Sequence, residues 1–208
     1  MFVELLDKLR CPNQHDDSLL VATATRTVDR HIIEGTLGCP VCHAEYRVHD
    51  GAVEIGERVP VSMLAADALS HERMMRLGAL LGLDERGGLY VLDFISASFI
   101  RELAELSPNS QFIALTGRRE MEGAGIVIRG RGPALPLATG CARGIALDMA
   151  TPALLRSAAQ VLSAGGRLVA PADAIVPDGI GMLARDDEQW VGERAAVPVL
   201  SAIRRAPR

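Results

Sequence analysis

The placement of four cysteines constrains this chain more than any other feature. Three fall in the first 42 residues, as Cys11-Pro-Asn-Gln-His15 and Cys39-Pro-Val-Cys42, and the fourth, Cys141, stands alone. A Cys-x3-His followed by a Cys-x2-Cys, each with proline after its first cysteine, makes two tight turns that aim four ligands at one tetrahedral zinc ion. Cysteines this few and this unevenly spread do not make a disulfide framework. A piece of about 50 residues gains little folding free energy from its own core, and bound metal would add to it. The expected ligands are Cys11, His15, Cys39 and Cys42. Gln14 stands where the commonest pattern has a cysteine, and His15 is the natural substitute, with His43 and His49 in reserve. The alternative is a metal-free ribbon held by contacts with the rest of the chain. Catalytic zinc would need an open position and a nearby carboxylate base, and nothing in the first 50 residues designates one.

With 208 residues and 49% hydrophobic content, the chain can bury one good core plus a small satellite. The net charge of -4 is spread over both signs, so no basic face indicates nucleic acid. No apolar run is long enough for a signal h-region or a membrane span, and the expected location is cytoplasmic. Short alternating segments over 1–56 predict small β-hairpins. Pro60 and the charged pair Glu57-Arg58 mark a linker over 57–62, and a larger domain follows over 63–208. That domain opens with helical periodicity over 61–83 closed by Gly87-Gly88, then alternates strand and helix. Strands are expected at 89–94, 111–115, 126–128, 144–147 and 167–170. Helices are expected at 98–106 and 151–162, the latter with Thr151 as N-cap, Pro152 at its first position and Gly165-Gly166 ending it. The segments 180–185 and 197–204 would form a terminal antiparallel pair. This alternation predicts an α/β fold with a parallel sheet covered by helices on both faces.

The run Leu5-Leu6-Asp7-Lys8-Leu9-Arg10-Cys11-Pro12, with Cys39-Pro40-Val41-Cys42 and Tyr46-Arg47-Val48-His49-Asp50-Gly51, resembles the small zinc-ribbon proteins that activate tRNA and translation-factor methyltransferases. The resemblance covers 1–56. It implies a module that binds and stabilises a methyltransferase, and here that partner is fused behind it.

Residues 61–208 resemble a class I S-adenosylmethionine-dependent methyltransferase with a Rossmann-like sheet. The resemblance rests on Val91-Leu92-Asp93, on Ala134-Leu135-Pro136-Leu137 and on the run from Ala159 through Gly165-Gly166 to Val169. It places Asp93, Ser96, Thr116 and Leu135 where cofactor contacts would lie if the site works. The three glycine positions after the first strand carry Ile95, Ala97 and Phe99, although backbone must approach such a ligand closely. Ile95 and Phe99 are expected to fill the pocket. Thr116 stands where a carboxylate would hold the ribose diol, and Arg131 or Gly132 where an acidic residue would face the adenine amine. With three contacts missing together, S-adenosylmethionine is not expected to bind and no catalytic residue is assigned.

The expected function is therefore a methyltransferase-like binding or scaffold protein. Its partner would be another protein, either a methyltransferase or a second copy of the chain. The alternative is an active methyltransferase with an atypical cofactor loop. Arg118, Arg119, Arg129, Arg131 and Arg143 fall near predicted strand ends, as a solvated rim or an anion site. Met74, Met75 and Trp190 are expected in the core, and Cys141 as an inert packed thiol.

Overall fold

The structure, a computed structural model, describes residues 1–57, 70–115, 124–130 and 132–195. Eleven strands form one continuous sheet in the order β1-β2-β3-β4-β7-β6-β5-β8-β9-β11-β10. The first four are β1 (Val21–Val28), β2 (His31–Gly38), β3 (Glu45–His49) and β4 (Ala52–Glu54), which run antiparallel as two hairpins. The next five are β5 (Gly88–Asp93), β6 (Ser110–Leu115), β7 (Ile126–Arg129), β8 (Ala142–Ala146) and β9 (Leu162–Pro171), all mutually parallel. The terminal pair is β10 (Ile180–Arg185) and β11 (Gln189–Arg194), with β11 inserted antiparallel between β9 and β10. This is an α/β fold built on a parallel sheet and preceded by a β-rich segment that carries the cysteine cluster.

The two parts are joined by pairing. β4 lies parallel to β7, with Ala52 opposite Val127, Val53 opposite Ile128 and Glu54 opposite Arg129. The Ile55 amide continues the ladder to the Arg129 carbonyl at 3.0 Å. Ala52 and Val53 are fully buried, because a strand in the middle of a sheet is covered on both faces.

The parallel strands alternate between two cores, as the period of two requires. Tyr90, Leu92, Phe112, Ala114 and Val127 face α1 (His71–Leu81), α2 (Phe94–Ala97) and α3 (Ile100–Leu106). Val91, Ile113, Ile126, Ile128 and Ile145 face α4 (Pro152–Val161) and the N-terminal 3-10 turn Val3–Lys8. That turn lays Leu5 and Leu9, at 1% and 0% exposure, over the sheet. Gly125 lies under this turn, and a Cβ there would stand 2.5 Å from Leu5 Cδ1, so a larger residue would have to displace the Leu5 side chain. The Phe2 amide donates to the Gly125 carbonyl at 2.7 Å, and Leu9 makes an antiparallel bridge with Leu137.

Several boundaries differ from expectation. The first helix is capped by the Ser70 hydroxyl on the Arg73 amide and ends at left-handed Gly82, whereas Gly87-Gly88 lead into β5. Thr151 caps α4 as expected, its hydroxyl accepting from the Leu154 amide at 3.2 Å. Gly165-Gly166 lie inside β9, because the chain enters that strand directly after Val161. The partner of β10 is the nearer segment 189–194, and 197–204 lies outside the described residues. Trp190 is in β11, fully buried, its indole N–H donating to the Ala174 carbonyl at 2.9 Å. Met74 is core, but Met75, the next residue of α1, is exposed. Most of the expected linker over 57–62 also lies outside the described residues.

Leu9 ties the ribbon to the larger core, so its truncation should be felt by the whole molecule. Leu9→Ala is expected to cost about 2–5 kcal/mol, as large-to-small changes in a packed core do. Denaturant unfolding followed by circular dichroism and by Trp190 fluorescence should show one shared transition for both proteins. Separate transitions for the ribbon and the parallel sheet would contradict a single cooperative core.

Candidate metal centre and strand-end crevice

Two turns carry the cysteine cluster. The first follows Arg10, where the Cys11 amide donates to the Ser18 carbonyl and the His15 amide to the Asn13 carbonyl, both at 3.0 Å. The second is a knuckle after β2, closed by Cys39 N–H to the Ala44 carbonyl (2.9 Å) and His43 N–H to the Cys39 carbonyl (3.0 Å). His43 takes a left-handed conformation there, with φ of 58°.

These turns bring Cys11, His15, Cys39 and Cys42 together, their four donor atoms all within 4.8 Å of one another. Cys11 Sγ lies 3.7 Å from Cys42 Sγ, and Cys39 Sγ lies 3.4 Å from His15 Nε2. Tetrahedral zinc with bonds of about 2.3 Å to sulfur and about 2.0–2.1 Å to nitrogen sets sulfurs about 3.8 Å apart and sulfur and nitrogen about 3.6 Å apart. The cluster already has nearly those dimensions, and three sulfurs with one imidazole suit that ion. His15 Nδ1–H donates to the Asp16 carbonyl at 2.6 Å, which leaves the Nε2 lone pair facing the thiols. Gln14 is exposed and is not in the cluster; His43 and His49 are not in it either.

Neighbours favour thiolate at two of the cysteines. Burial pushes the Cys39 thiol up, but backbone amides of Cys42 and Val41 outweigh it and hold it at about 6. The Ala44 amide and the Asn13 side chain, whose Nδ2 is 3.3 Å from the sulfur, lower Cys42. Burial raises Cys11, while the Tyr46 hydroxyl 3.4 Å from its sulfur works against that. Burial and this contact with Cys11 push the Tyr46 phenol up. Lone Cys141 is partly buried and its thiol is raised by that burial, the reverse of activation.

A second group, Glu34, His49 and Asp50, also has its donor atoms within 4.8 Å. It forms part of a cross-strand row in which Arg26 pairs with Glu34 and Glu34 with His49, at 3.5 and 3.0 Å. Alternating charge across neighbouring strands accounts for it.

At the other end of the sheet, strand order reverses between β5 and β8, where open α/β sheets bind ligands. Asp93 ends β5 with no exposed surface, and α2 begins at once, with Phe94 at a φ of 37°. Ser96 is 7% exposed, and its amide and hydroxyl both donate to Asp148, at 2.9 Å each. Asp148 lies just beyond β8, and burial raises its carboxyl against the pull of these bonds. Sequence reasoning missed Asp148, since only the parallel pairing of β5 with β8 places it beside Ser96. Phe99 does not fill the crevice as expected: the helical turns after β5 direct it into the core with Leu92, Ile100 and Leu103.

Leu135 is 6% exposed and packs with Leu9 and Leu154, while its amide donates to the Ser157 hydroxyl at 2.9 Å. Its loop is tied to the ribbon by Arg10 N–H to the Pro136 carbonyl (3.0 Å) and Ala138 N–H to the Lys8 carbonyl (2.8 Å). The cavity between Leu135, Pro136, Gly130 and Ile55 holds about 20 Å³, roughly one water. Thr116, Arg118, Arg119 and Arg131 lie outside the described residues. Of the other arginines, Arg143 sits at the opposite end of the sheet, forked onto Asp84 at 3.0 and 3.2 Å. Arg129 is 7% exposed and donates to the His49 carbonyl at 2.9 Å, which makes it part of the ribbon junction. Neither belongs to an anion rim.

No family model matches the chain, and no curated protein matches it. Solved structures of methyltransferases are similar in fold. The antibiotic-resistance methyltransferase Kmr is 13% identical with a TM-score of 0.42, over 60% of this chain and 93% of that one. An S-adenosyl-L-methionine methyltransferase from Silicibacter pomeroyi is 12% identical with a TM-score of 0.41, over 58% and 88%. A Corynebacterium glutamicum protein is 13% identical with a TM-score of 0.45, over 62% and 82%. Likeness at this level speaks to no activity of this chain. Among the described residues, no helix is long and apolar enough to cross a membrane.

The Cys39 thiol titrates at about 6 in the fold against an ordinary 9. A lowered acid contributes stability that is fully present above its unfolded value and lost as pH falls through its folded one. Melting of the chelator-treated protein should therefore rise from pH 6 to 9, and Cys39→Ser should flatten that rise. An unchanged slope in the variant would contradict the assignment.

Proposed function

We propose that this chain is a non-catalytic, methyltransferase-like binding protein whose N-terminal zinc ribbon is docked on its own sheet and whose strand-end crevice does not take S-adenosylmethionine. One observation carries the reading: the Ser96 amide and hydroxyl are both turned onto Asp148. In folds of this kind the backbone amides after the first strand face the ligand. Here they face a carboxylate from the other side of the crevice. The absence of glycine at 95 and 97, where Ile95 and Ala97 stand, supports the same reading, since a side chain there opposes close approach of backbone to a nucleoside.

Zinc held by Cys11, His15, Cys39 and Cys42 would be structural, with four protein donors and no open position. Its contribution is to fix Arg10 and Leu9 where they bind the 135–138 loop. The partner would be another protein, a methyltransferase or a second copy of the chain, bound elsewhere than at β4, which is paired with β7 of the same chain. Four cysteines free of disulfides accord with a cytoplasmic setting. The competing reading, an active methyltransferase with an atypical turn, requires Ser96 and Asp148 to part.

A ligand that binds only the folded state stabilises it by about 2.7 kcal/mol at a hundredfold excess over Kd. Millimolar S-adenosylmethionine is expected to leave the melting temperature unchanged, and calorimetric titration with S-adenosylhomocysteine should give no heat of binding. A clear shift or a saturable heat would overturn the proposal. Metal analysis should return one zinc per chain, and loss of zinc should lower the melting temperature.

A further inference from the structure

The Cys/His cluster is assembled from two distant halves, Cys11 and His15 on the first turn and Cys39 and Cys42 on the knuckle. Two side chains outside the ligand set reach across between them. Asn13, on the first turn, donates from Nδ2 to Cys42 Sγ at 3.3 Å. Tyr46, on β3 beyond the knuckle, places its hydroxyl 3.4 Å from Cys11 Sγ. Each contact therefore joins a sulfur of one half to a side chain of the other. Cys39 differs, since its sulfur takes the backbone amides of Cys42 and Val41 within the knuckle itself.

The two donors are held in different ways. Tyr46 stands opposite Leu37 of β2 and packs against the main core, which fixes where its hydroxyl lies. Asn13 is exposed, where an amide ordinarily turns to water, yet its NH2 group faces sulfur.

We propose that Asn13 and Tyr46 are positioning residues for the metal, holding the two half-sites in register and donating to two of the ligand sulfurs. The proposal rests on the zinc reading above. Three thiolates and a neutral imidazole around a divalent ion leave one net negative charge, and hydrogen bonds to the sulfurs offset it. A metal-bound thiolate can only accept, so the hydroxyl of Tyr46 donates and Asn13 must present nitrogen rather than oxygen, as it does. Losing such an outer partner typically lowers metal affinity about 10–100-fold.

The test titrates the full, metal-stripped chain with cobalt(II), reading the d–d and sulfur-to-cobalt charge-transfer bands, and measures zinc affinity by competition with a chromophoric chelator. Tyr46→Phe keeps the ring and its packing, Asn13→Ala removes an exposed amide, and Gln14→Ala is the control at the exposed neighbour outside the cluster. Tyr46→Phe and Asn13→Ala are each expected to weaken zinc binding about 10–100-fold. Each should also move the charge-transfer band to longer wavelength, because a sulfur that loses a donor gives up its electron more readily. Gln14→Ala should change neither. Unchanged affinity in either variant would overturn the assignment of that residue, and so would weaker binding with an unmoved band, the mark of packing alone. An equal loss in Gln14→Ala would overturn the assignment of Asn13, since it would reflect a loosened turn. A wild-type chain without a tetrahedral cobalt spectrum would refute the zinc reading and this proposal with it, whereas a tetrahedral wild-type spectrum with unaffected variants refutes this proposal alone.

Discussion

The rest of the structure depends on three residues of strand pairing. β4 is laid parallel to β7, and through Ala52, Val53 and Glu54 two sheets become one. An exposed strand edge presents unpaired amides and carbonyls, and a closed ladder satisfies them. With the pairing in place, the N-terminal turn can cover the face of β6 and β7 and bring Leu5 and Leu9 into the main core. The buried Arg129 completes the junction, contacting Glu54 and the His49 carbonyl. Among the described residues β1 and β10 are the outermost strands, and register shifts interrupt the ladders that join them to β2 and β11.

That arrangement links the Cys/His cluster to the crevice. Cys11 is one residue from Arg10, and Arg10 is bonded to the loop containing Leu135 and Pro136. The same loop is held from below by Ser157 of α4. On the far side of the crevice, Ser96 and Asp148 join the ends of β5 and β8. A buried carboxylate is costly unless hydrogen-bonded, and the Ser96 amide and hydroxyl supply those bonds. The Ser96 amide and hydroxyl and the Asp148 carboxylate thus satisfy one another.

Much of this was legible from residue types. The cysteine spacing, with His15 displaced by one position from Gln14, was enough to name the four residues that converge, because tight turns are local. The buried strands β5 to β9 and the Thr151 cap were legible for the same reason: periodicity and capping act over a few residues. Pairing partners over long distances were not. Nothing local to Ser96 points to Asp148, 52 residues away. Phe99 looked like a pocket residue until the helical turns after β5 directed its side chain into the core.

The sequence by itself determined a two-part α/β chain, a four-residue Cys/His cluster and a first-strand turn without glycines, since each of these is written in composition and short spacing. Only the tertiary structure decided that the ribbon is docked on its own sheet, that Arg129 and Arg143 are structural, and that Ser96 and Asp148 clasp across the crevice. Those contacts depend on which strands lie side by side, and strand order is set by the burial of whole faces rather than by any single segment.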